Sequence, residues 1–232
     1  MLSGVAVKIA MIPARMGSQR LKKKNLIPLN GIPIIQRAVK RCQNAGVFDR
    51  VIVNSENIEF KEYAEAVGGE FYQRPEHLGN SVATSEDFIE DFLQQNPCDR
   101  LYQVHSISPL CSSELIREFV DFTEGSDYDT VLSCVEEQIE CALDGKPVNF
   151  TLDEKTNSQE LTPVQRITWT LSAWRGPLFL DAKKSGKCAT YSGNVGIKAL
   201  DRWSGHIIKR QEDMDIAEAM LAFLGDGPAY GG

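Results

Sequence analysis

The sequence lacks paired-cysteine motifs, long apolar runs and an excess of positive charge, and each lack excludes a class of protein. Its six cysteines form no CxxC pair and show no zinc-ligand spacing, which favours reduced thiols, buried or half-buried. No apolar stretch is long enough to cross a bilayer, and the N-terminus has no basic region of the kind that opens a signal peptide. We therefore expect a cytoplasmic protein with no membrane partner.

Acidic residues outnumber basic ones, 32 to 25, so that the formal net charge is -7. Proteins that bind nucleic acid non-specifically need an extended basic face, and we expect no nucleic-acid partner here. A small anionic ligand needs only a local basic pocket, which this composition allows. The length of 232 residues predicts a single domain over positions 1–232.

Short apolar segments alternate with amphipathic ones along most of the chain, which predicts a mostly parallel sheet with helices on both faces. Residues near the segment ends supply helix caps: Asn57, then Thr84 or Ser85, then Ser112 or Ser113, while Gly46 can end the first helix. The predicted strands are 5–12, 50–55, 70–75, 100–107, 129–136 and 189–200, and the last helix covers 212–224.

The stretch from about 142 to 187 interrupts this alternation. It begins with a polar, turn-rich segment and continues with "WTLSAWRGP", which carries Trp169 and Trp174. We interpret the stretch as an inserted arm or hairpin. The alternative is a surface loop, but two tryptophans favour packing against another surface.

The loop "IPARMGSQRLKKKN", residues 12–25, concentrates positive charge directly after the first predicted strand. Gly17 and Ser18 allow backbone N–H groups to turn inward, while Arg15, Arg20 and Lys24 supply fixed charge. A triphosphate accepts hydrogen bonds from both kinds of donor, and ligands of open α/β sheets bind at this end of the strands. The order of residues is neither GxxxxGK[ST] nor GxGxxG. The alternative interpretation is a solvated basic turn.

This loop, followed by "PLNGIPII", resembles the signature of the sugar-activating cytidylyltransferases, above all the acylneuraminate synthetases. The resemblance continues in order through "FDRVIVNS", "RPEHL", "ISPL" and "EDMDIAEAM". It implies a Rossmann-like, GT-A-like nucleotidyltransferase fold with three layers. It also implies transfer of CMP from CTP to a sugar acid, with release of pyrophosphate and with Mg²⁺ carried by CTP. The family further implies a homodimer in which the inserted arm reaches the partner subunit.

The resemblance assigns roles to individual residues of the chain. Arg15 and Lys24 would hold the phosphates and neutralise charge on the leaving pyrophosphate, which is electrostatic catalysis by positioned cations. Asn25 would contact the nucleotide, and the backbone of Ala14 would approach the base. The remaining nucleotide-binding positions would be Gly17, Ser18, Arg20, Arg74 and Ser85. Arg74 has the alternative role of an exposed turn residue, and Ser85 that of a helix cap alone.

Two segments depart from the family pattern. "HSISPLC" places His105 where the family has a glutamine facing the sugar acid, so His105 and Ser108 are the candidate acceptor contacts. His105 has the alternative role of a structural, hydrogen-bonded histidine. "HIIKRQED" places Ile207 and Lys209 where the family has its metal-binding Asp-x-Asp, so the metal ligands are unassigned.

Three functions follow from these residues. The first is an active cytidylyltransferase for a sugar acid or another acidic acceptor such as a phosphonate, and the complete basic loop favours it. The second is a non-catalytic nucleotide-binding relative, which the altered metal segment favours. The third is a sugar-1-phosphate nucleotidyltransferase for another nucleotide, which the residues of the loop fit less well.

Overall fold

The computed structural model describes residues 7–17 and 20–232. The helices are α1 (Ile34–Ala45), α2 (Glu59–Glu65), α3 (Ser85–Gln95), α4 (Ser113–Glu124), α5 (Gly176–Lys184) and α6 (Gln211–Leu224). The strands are β1 (Lys8–Pro13), β2 (Pro28–Leu29), β3 (Ile32–Pro33), β4 (Arg50–Ser55), β5 (Glu70–Gln73), β6 (Arg100–Val104), β7 (Thr130–Glu137), β8 (Ala142–Leu143), β9 (Lys146–Pro147), β10 (Val164–Arg175) and β11 (Val195–Leu200).

Seven of these strands form one sheet in the order β11-β7-β10-β6-β1-β4-β5. All neighbouring pairs are parallel except those made by β10, which runs antiparallel to both β6 and β7. The mostly parallel sheet predicted from the sequence is therefore confirmed. The parallel arrangement brings the carboxyl ends of β1, β4, β5 and β6 to one edge, where the loop after β1 lies.

The core lies in two layers, one on each face of the sheet. Alternate residues of β1 point to opposite faces: Ala10 and Ile12 join one cluster of buried side chains, and Ile9 and Met11 join the other. The first cluster includes residues of α1, α2 and α4, and the second includes residues of α3 and α5. Burial on both faces explains why the strands are almost wholly apolar. The three-layer α/β architecture is confirmed.

Local signals in the sequence set several helix ends. Gly46 follows α1 in the left-handed conformation with φ 67°, a backbone geometry in which a Cβ is unfavourable. Asn57 Oδ1 accepts a hydrogen bond from Glu59 N at 2.8 Å, and Ser112 Oγ accepts one from Leu115 N at 3.2 Å. Of the two candidates for the cap of α3, it is Thr84 whose side chain accepts from Asp87 N.

The predicted arm over 142–187 is wrong in its second half. Residues 164–175 form β10, near the middle of the sheet, and residues 176–184 form α5. Trp174 is buried in the core with 1% of its surface exposed, and Trp169 packs on the same cluster. Sequence pattern missed β10 because its buried hydroxyl residues look like surface positions: Thr168, Thr170 and Ser172 are all buried.

The segment that does stand apart is shorter, residues 138–163, and contains the β8–β9 hairpin. Asp144 and Gly145 form its turn at positive φ, 49° and 75°. Four apolar side chains of this segment are more than half exposed: Ile139, Leu143, Val148 and Leu152. We call this segment the hairpin arm.

All six cysteines are free, and four of them are buried. Burial raises the pKa of the Cys42 and Cys111 thiols to about 12, so both stay protonated at neutral pH. Among the helices of residues 7–17 and 20–232, none is long and apolar enough to cross a membrane.

Candidate nucleotide-binding site

A cleft of about 350 Å³ opens at the carboxyl ends of β1 and β6. Its walls come from the loop after β1, from the segments that follow β5 and β6, and from α3. The lining residues are Pro13, Ala14, Arg15, Arg20, Lys24, Asn25, Arg74, Phe88, His105 and Ile107. This is the edge at which ligands bind in open α/β sheets.

Buried Arg74 anchors the loop after β1 to the sheet. Its Nη2 donates to the carbonyl oxygen of Ala14 at 2.9 Å and to Glu56 Oε2 at 3.0 Å, and its Nη1 donates to the carbonyl of Asn54 at 3.3 Å. Glu56 in turn accepts from Met16 N at 2.8 Å through Oε1. We call Arg74 and Glu56 the loop clamp. Arg74 is therefore not an exposed turn residue, and its Nε is a buried donor without a partner among residues 7–17 and 20–232.

Positive charge converges on Lys24. Burial, followed by the charges of Arg20 and Arg15, lowers the pKa of this ammonium group, and Lys209 contributes in the same direction. Lys24 Nζ donates to the carbonyl of Ile208 at 2.9 Å, which fixes it in the cleft. Several cations held close together repel one another in the absence of a ligand, so the cleft is suited to a multiply charged anion.

Asn25 is buried and ties the loop after β1 to the segment after β6. Its Oδ1 accepts from Ser106 Oγ at 2.9 Å, and its Nδ2 donates to the carbonyl of Arg15 at 3.4 Å. The segment after β6 is fixed from the other side by buried Arg41, whose Nη1 donates to the carbonyls of Ser108 and Cys111 at 2.6 and 2.8 Å. The cleft walls are therefore held by hydrogen bonds between elements far apart in sequence.

His105 lies at the carboxyl end of β6, against Gln103. Gln103 Nε2 is 2.6 Å from His105 Nε2. Because an amide nitrogen donates only, His105 Nε2 accepts in this arrangement, and a neutral ring then carries its proton on Nδ1. Burial, together with the charge on Lys24, lowers the pKa of His105 to about 4. The imidazole is therefore neutral at pH 7 and suited to hydrogen bonding, not to supplying charge.

The structure brings seven of the predicted site residues together in the cleft: Ala14, Arg15, Arg20, Lys24, Asn25, Arg74 and His105. Three lie outside its lining. Gly17 is exposed on the loop, Ser85 is exposed at the first turn of α3, and Ser108 is buried with its Oγ unpartnered. Ser18 lies outside the described residues.

Sequence reasoning missed Phe88 and Glu56. Phe88 lines the cleft and carries the Arg74 guanidinium over its ring, 4.9 Å from the centroid. Its place on the apolar face of α3 gave it the appearance of an ordinary core residue. Glu56 follows β4 directly. An acidic residue at the carboxyl end of a predicted strand was the one sequence feature that could have indicated its place beside the cleft.

The segment before α6 does not fit a protein-held magnesium ion. Asp213 Oδ2 accepts from Lys209 N at 2.7 Å and from Arg210 N at 2.8 Å, so this carboxylate caps the helix. Burial would raise the pKa of Asp213, but these backbone N–H groups hold it below its ordinary value. Ile207 offers no ligand, Lys209 is a cation, and no group of three or more metal-ligating side chains occurs in the described part of the chain.

The family model described as Cytidylyltransferase matches residues 9–168, more than half of the chain. This chain belongs to that family. The matched segment runs from β1 into β10, so it includes all ten lining residues of the cleft. The resemblance drawn from the basic loop is confirmed at the level of the family.

Curated relatives match at modest identity. The N-acylneuraminate cytidylyltransferase of Streptococcus agalactiae serotype V is 30% identical over 128 residues, which are 54% of this chain and 31% of the relative. The pseudaminic acid cytidylyltransferase of Campylobacter jejuni is 29% identical over 47% of this chain and 50% of its own length. The 3-deoxy-manno-octulosonate cytidylyltransferase of Sodalis glossinidius is 34% identical over 51% of this chain and 47% of its own length. The matches thus span about a third to a half of these relatives.

Solved structures agree on the fold. A CMP:2-keto-3-deoxy-manno-octonic acid synthetase complexed with CTP superposes with a TM-score of 0.74 at 13% identity, over 94% of this chain and 100% of that one. The 4-diphosphocytidyl-2C-methyl-D-erythritol synthase of Anaerococcus prevotii superposes with a TM-score of 0.67 at 16% identity, over 94% and 99%. At such identities the likeness establishes the nucleotidyltransferase fold alone.

Proposed function

We propose that the protein transfers CMP from CTP to a small sugar acid and releases pyrophosphate. The observation that carries this proposal is the convergence of Arg15, Arg20 and Lys24 on one cleft at the end of β1, in a chain of the cytidylyltransferase family. Relatives that act on N-acylneuraminate, pseudaminic acid and 3-deoxy-manno-octulosonate support the class of acceptor. CTP is a cytoplasmic metabolite, and the proposal assigns the reaction to that compartment.

In the proposed reaction, a hydroxyl oxygen of the acceptor attacks the α-phosphorus of CTP. The bond from that phosphorus to the oxygen bridging the α- and β-phosphates breaks, pyrophosphate leaves, and the hydroxyl proton passes to solvent. Arg15, Arg20 and Lys24 bind the triphosphate oxygens and stabilise the negative charge that grows on pyrophosphate. The loop clamp keeps the backbone of Ala14 in place beside the base.

His105 and Ile107 line the cleft from the segment after β6 and would meet the acceptor. A neutral His105 offers a hydrogen bond to a carboxylate or hydroxyl oxygen without adding charge. Ser108 keeps its side chain inside the protein, so we assign the acceptor contact to His105 alone.

Magnesium would enter as a complex with CTP, where it neutralises phosphate charge when bound. We assign no residue of the described chain to it, since the segment before α6 supplies no set of oxygen ligands. Lys209, which acts on Lys24 electrostatically, adds a fixed positive charge beside the phosphates.

The test is a pyrophosphate-release assay with CTP, UTP, ATP and GTP against a panel of sugar acids, including N-acetylneuraminate and 3-deoxy-manno-octulosonate. We expect release with CTP and an acceptor only. Release with another nucleotide at equal or higher kcat/KM would contradict the assignment to CTP.

A second candidate is a non-catalytic protein that binds CTP and regulates a partner. The segment before α6 favours it, because Asp213 is used as a helix cap and Lys209 occupies a position expected for a metal ligand. Titration calorimetry separates the two candidates. Selective CTP binding without pyrophosphate release from any acceptor would identify the second.

We also propose a homodimer, in which the hairpin arm packs on the partner subunit. The two tryptophans do not support this dimer, because Trp174 is buried and Trp169 packs on the core cluster of its own chain. Leu143 and Leu152 support it instead, since 70% and 82% of their surfaces are exposed on the arm. We expect a light-scattering mass of twice the 25.8 kDa of one chain.

The control variant lies on α6. Leu143→Glu should shift the protein towards the monomer at micromolar concentration, whereas Phe223→Glu, at a position exposed to 80%, should leave the mass unchanged. A monomeric wild-type protein would contradict the proposal.

A further inference from the structure

Trp169 adopts a backbone conformation that tryptophan rarely tolerates. Its φ is 59°, in the left-handed region, although it lies inside a strand of the central sheet. The other non-glycine residues at positive φ in the described chain, Lys23, Asn30 and Asp144, lie in turns. For a bulky side chain this conformation costs free energy, and glycine would adopt it without that cost. The strain calls for a compensating role of the indole.

Surrounding hydrogen bonds hold the strained segment in place. The register between β10 and β7 shifts between Ile167 and Ser172, which marks a bulge. Thr170 Oγ1 donates to the carbonyl of Ser204 at 2.8 Å, and the carbonyl of Thr170 accepts from His105 N at 3.1 Å. Bulges of this kind redirect a side chain beside active sites, and strain persists there when neighbours fix the backbone.

Trp169 lies at the carboxyl end of β6, one residue from Thr170, whose carbonyl accepts from the N–H of the cleft residue His105. The indole is half-buried and packs on the cluster between the sheet and α3 and α5. Phe88, whose ring lines the cleft, packs on the same cluster. The ring of Trp169 lies 6.3 Å from that of Tyr191, centroid to centroid, and 56% of Tyr191 is exposed.

The turn that carries Tyr191 is also fixed. Glu86 Oε1 accepts from Thr190 N and from Thr190 Oγ1, both at 2.7 Å, and Trp174 Nε1 donates to the carbonyl of Thr190 at 3.0 Å. An exposed aromatic ring on a turn held at several points is preorganised for binding, because little side-chain freedom is lost when a ligand arrives.

We propose that Trp169 and Tyr191 form an aromatic wall at the acceptor side of the cleft, next to His105. The wall would bind an apolar group on the acceptor, such as the methyl of an acylamino substituent, while His105 binds a polar one. It therefore determines specificity for acylated sugar acids over unsubstituted ones. This inference rests on the proposed function, which it deepens by naming the acceptor class.

The variants Trp169→Gly and Tyr191→Ala test the wall, with Trp169→Phe as the conservative comparison. We expect Trp169→Gly to raise the KM for N-acetylneuraminate about tenfold, because the variant loses the contact between the indole and the apolar group of the acceptor. The KM for CTP and the kcat for 3-deoxy-manno-octulosonate, which lacks an acylamino group, should stay unchanged. Trp169→Phe, which keeps an aromatic ring, should have a KM for N-acetylneuraminate close to that of the wild type. A merely structural tryptophan would instead alter both acceptors and CTP together.

Glycine also separates strain from packing. Because glycine tolerates φ 59°, relief of strain should offset part of the packing that Trp169→Gly loses, so the variant should stay folded by circular dichroism while losing acceptor preference. Equal KM values for N-acetylneuraminate in wild type and Trp169→Gly would overturn the wall and leave the proposed function standing.

A binding measurement covers the case in which no acceptor reacts. Tryptophan fluorescence is recorded while N-acetylneuraminate is added to the protein saturated with CTP. A change present in the wild type and absent in Trp169→Phe supports the wall even without turnover. If the fluorescence of the wild type and of Trp169→Phe responds equally to N-acetylneuraminate, the wall is overturned. If the fluorescence change is present but no acceptor is turned over, only the proposed reaction is contradicted.

Discussion

Lys24 and Lys23 are neighbours in sequence with opposite surroundings. Lys24 points into the cleft among other cations, while Lys23 pairs with Glu59 at 3.2 Å on an exposed surface. Charge in the loop is therefore not uniform, and only part of it is available to a ligand. This difference between adjacent residues gives the sharpest test of the nucleotide site.

We predict that Lys24→Met weakens CTP binding by about 1.5 to 3 kcal/mol, the range for hydrogen bonds to charged groups, or roughly 10- to 100-fold. Lys23→Met should change the dissociation constant by less than about twofold, since exposed ion pairs contribute little. Burial and neighbouring cations lower the pKa of Lys24, so its charge destabilises the ligand-free protein, and the methionine variant should stay folded. Calorimetric titration measures both constants. Equal losses in the two variants would mean that the loop acts only through net charge.

From the sequence we identified the cleft residues of the basic loop by their charge, and Arg74 and His105 through the family resemblance, but not Phe88 or the supporting residue Glu56. Arg15, Arg20, Lys24 and Asn25 stand within eleven positions, and their charge and polarity made them conspicuous. Glu56 meets Met16 across 40 positions. No local sequence pattern predicts such a contact, because it depends on the pairing of β1 with β4.

At the scale of elements, the loop clamp joins the ends of three strands. Arg74 follows β5, Glu56 follows β4, and the carbonyl of Ala14 belongs to the loop after β1. A buried arginine with its carboxylate partner fixes geometry more than it adds stability, because both charges lose hydration. The clamp fixes Ala14 and Met16, at the start of the basic loop, against the ends of β4 and β5.

We predict that Arg74→Ala lowers the free energy of unfolding by about 3 to 5 kcal/mol, since it leaves Glu56 charged, largely buried and without its partner. Arg50→Ala is the matched control. Arg50 pairs with Glu70 at 2.6 Å, but both side chains are more than a third exposed, and the loss should be at most about 1 kcal/mol. Urea denaturation measures both. Similar losses in the two variants would show that Arg74 is not a structural anchor.

Most helix and strand positions followed from periodicity and caps, and the failure at β10 is instructive. The strand contributes Trp174 and Ala173 to the core, but Thr168, Thr170 and Ser172 are buried beside them. Two of these hydroxyls have partners: Thr168 Oγ1 lies 3.2 Å from Ser133 Oγ, and Thr170 Oγ1 donates to the carbonyl of Ser204 at 2.8 Å. Only the paired strands show that those polar positions are interior. Strand order is likewise a long-range property that the sequence pattern does not contain.

For the whole molecule, His105 makes stability depend on pH. Its folded pKa, about 4, is below the ordinary value of 6.5, because burial and Lys24 disfavour the imidazolium. Between pH 6.5 and pH 4, His105 binds a proton in the unfolded chain but not in the folded protein. The stability contributed by neutral His105 is therefore fully present above pH 6.5 and is lost as the pH falls towards 4.

We predict that the wild type loses more stability than His105→Gln between pH 7.5 and pH 5, by up to about 2 kcal/mol. Urea denaturation at both pH values measures the difference. His77→Gln, at an exposed position, should follow the wild type. If the free energy of unfolding has the same pH dependence in wild type and His105→Gln, the protonation of His105 does not affect folding stability, which contradicts the prediction.

The position of β10 sets an order of events during synthesis. In the described chain β7 pairs only with β10 and β11, both of which follow it, whereas β6 has β1 before it. A nascent chain that has emerged as far as residue 137 can assemble β5, β4, β1 and β6, but β7 has no strand to join. Until residues 164–175 leave the ribosome, one edge of β6 and both edges of β7 stay open to other chains. The interval in which this protein is most exposed to aggregation and to chaperones is therefore fixed by where a single antiparallel strand falls in the gene.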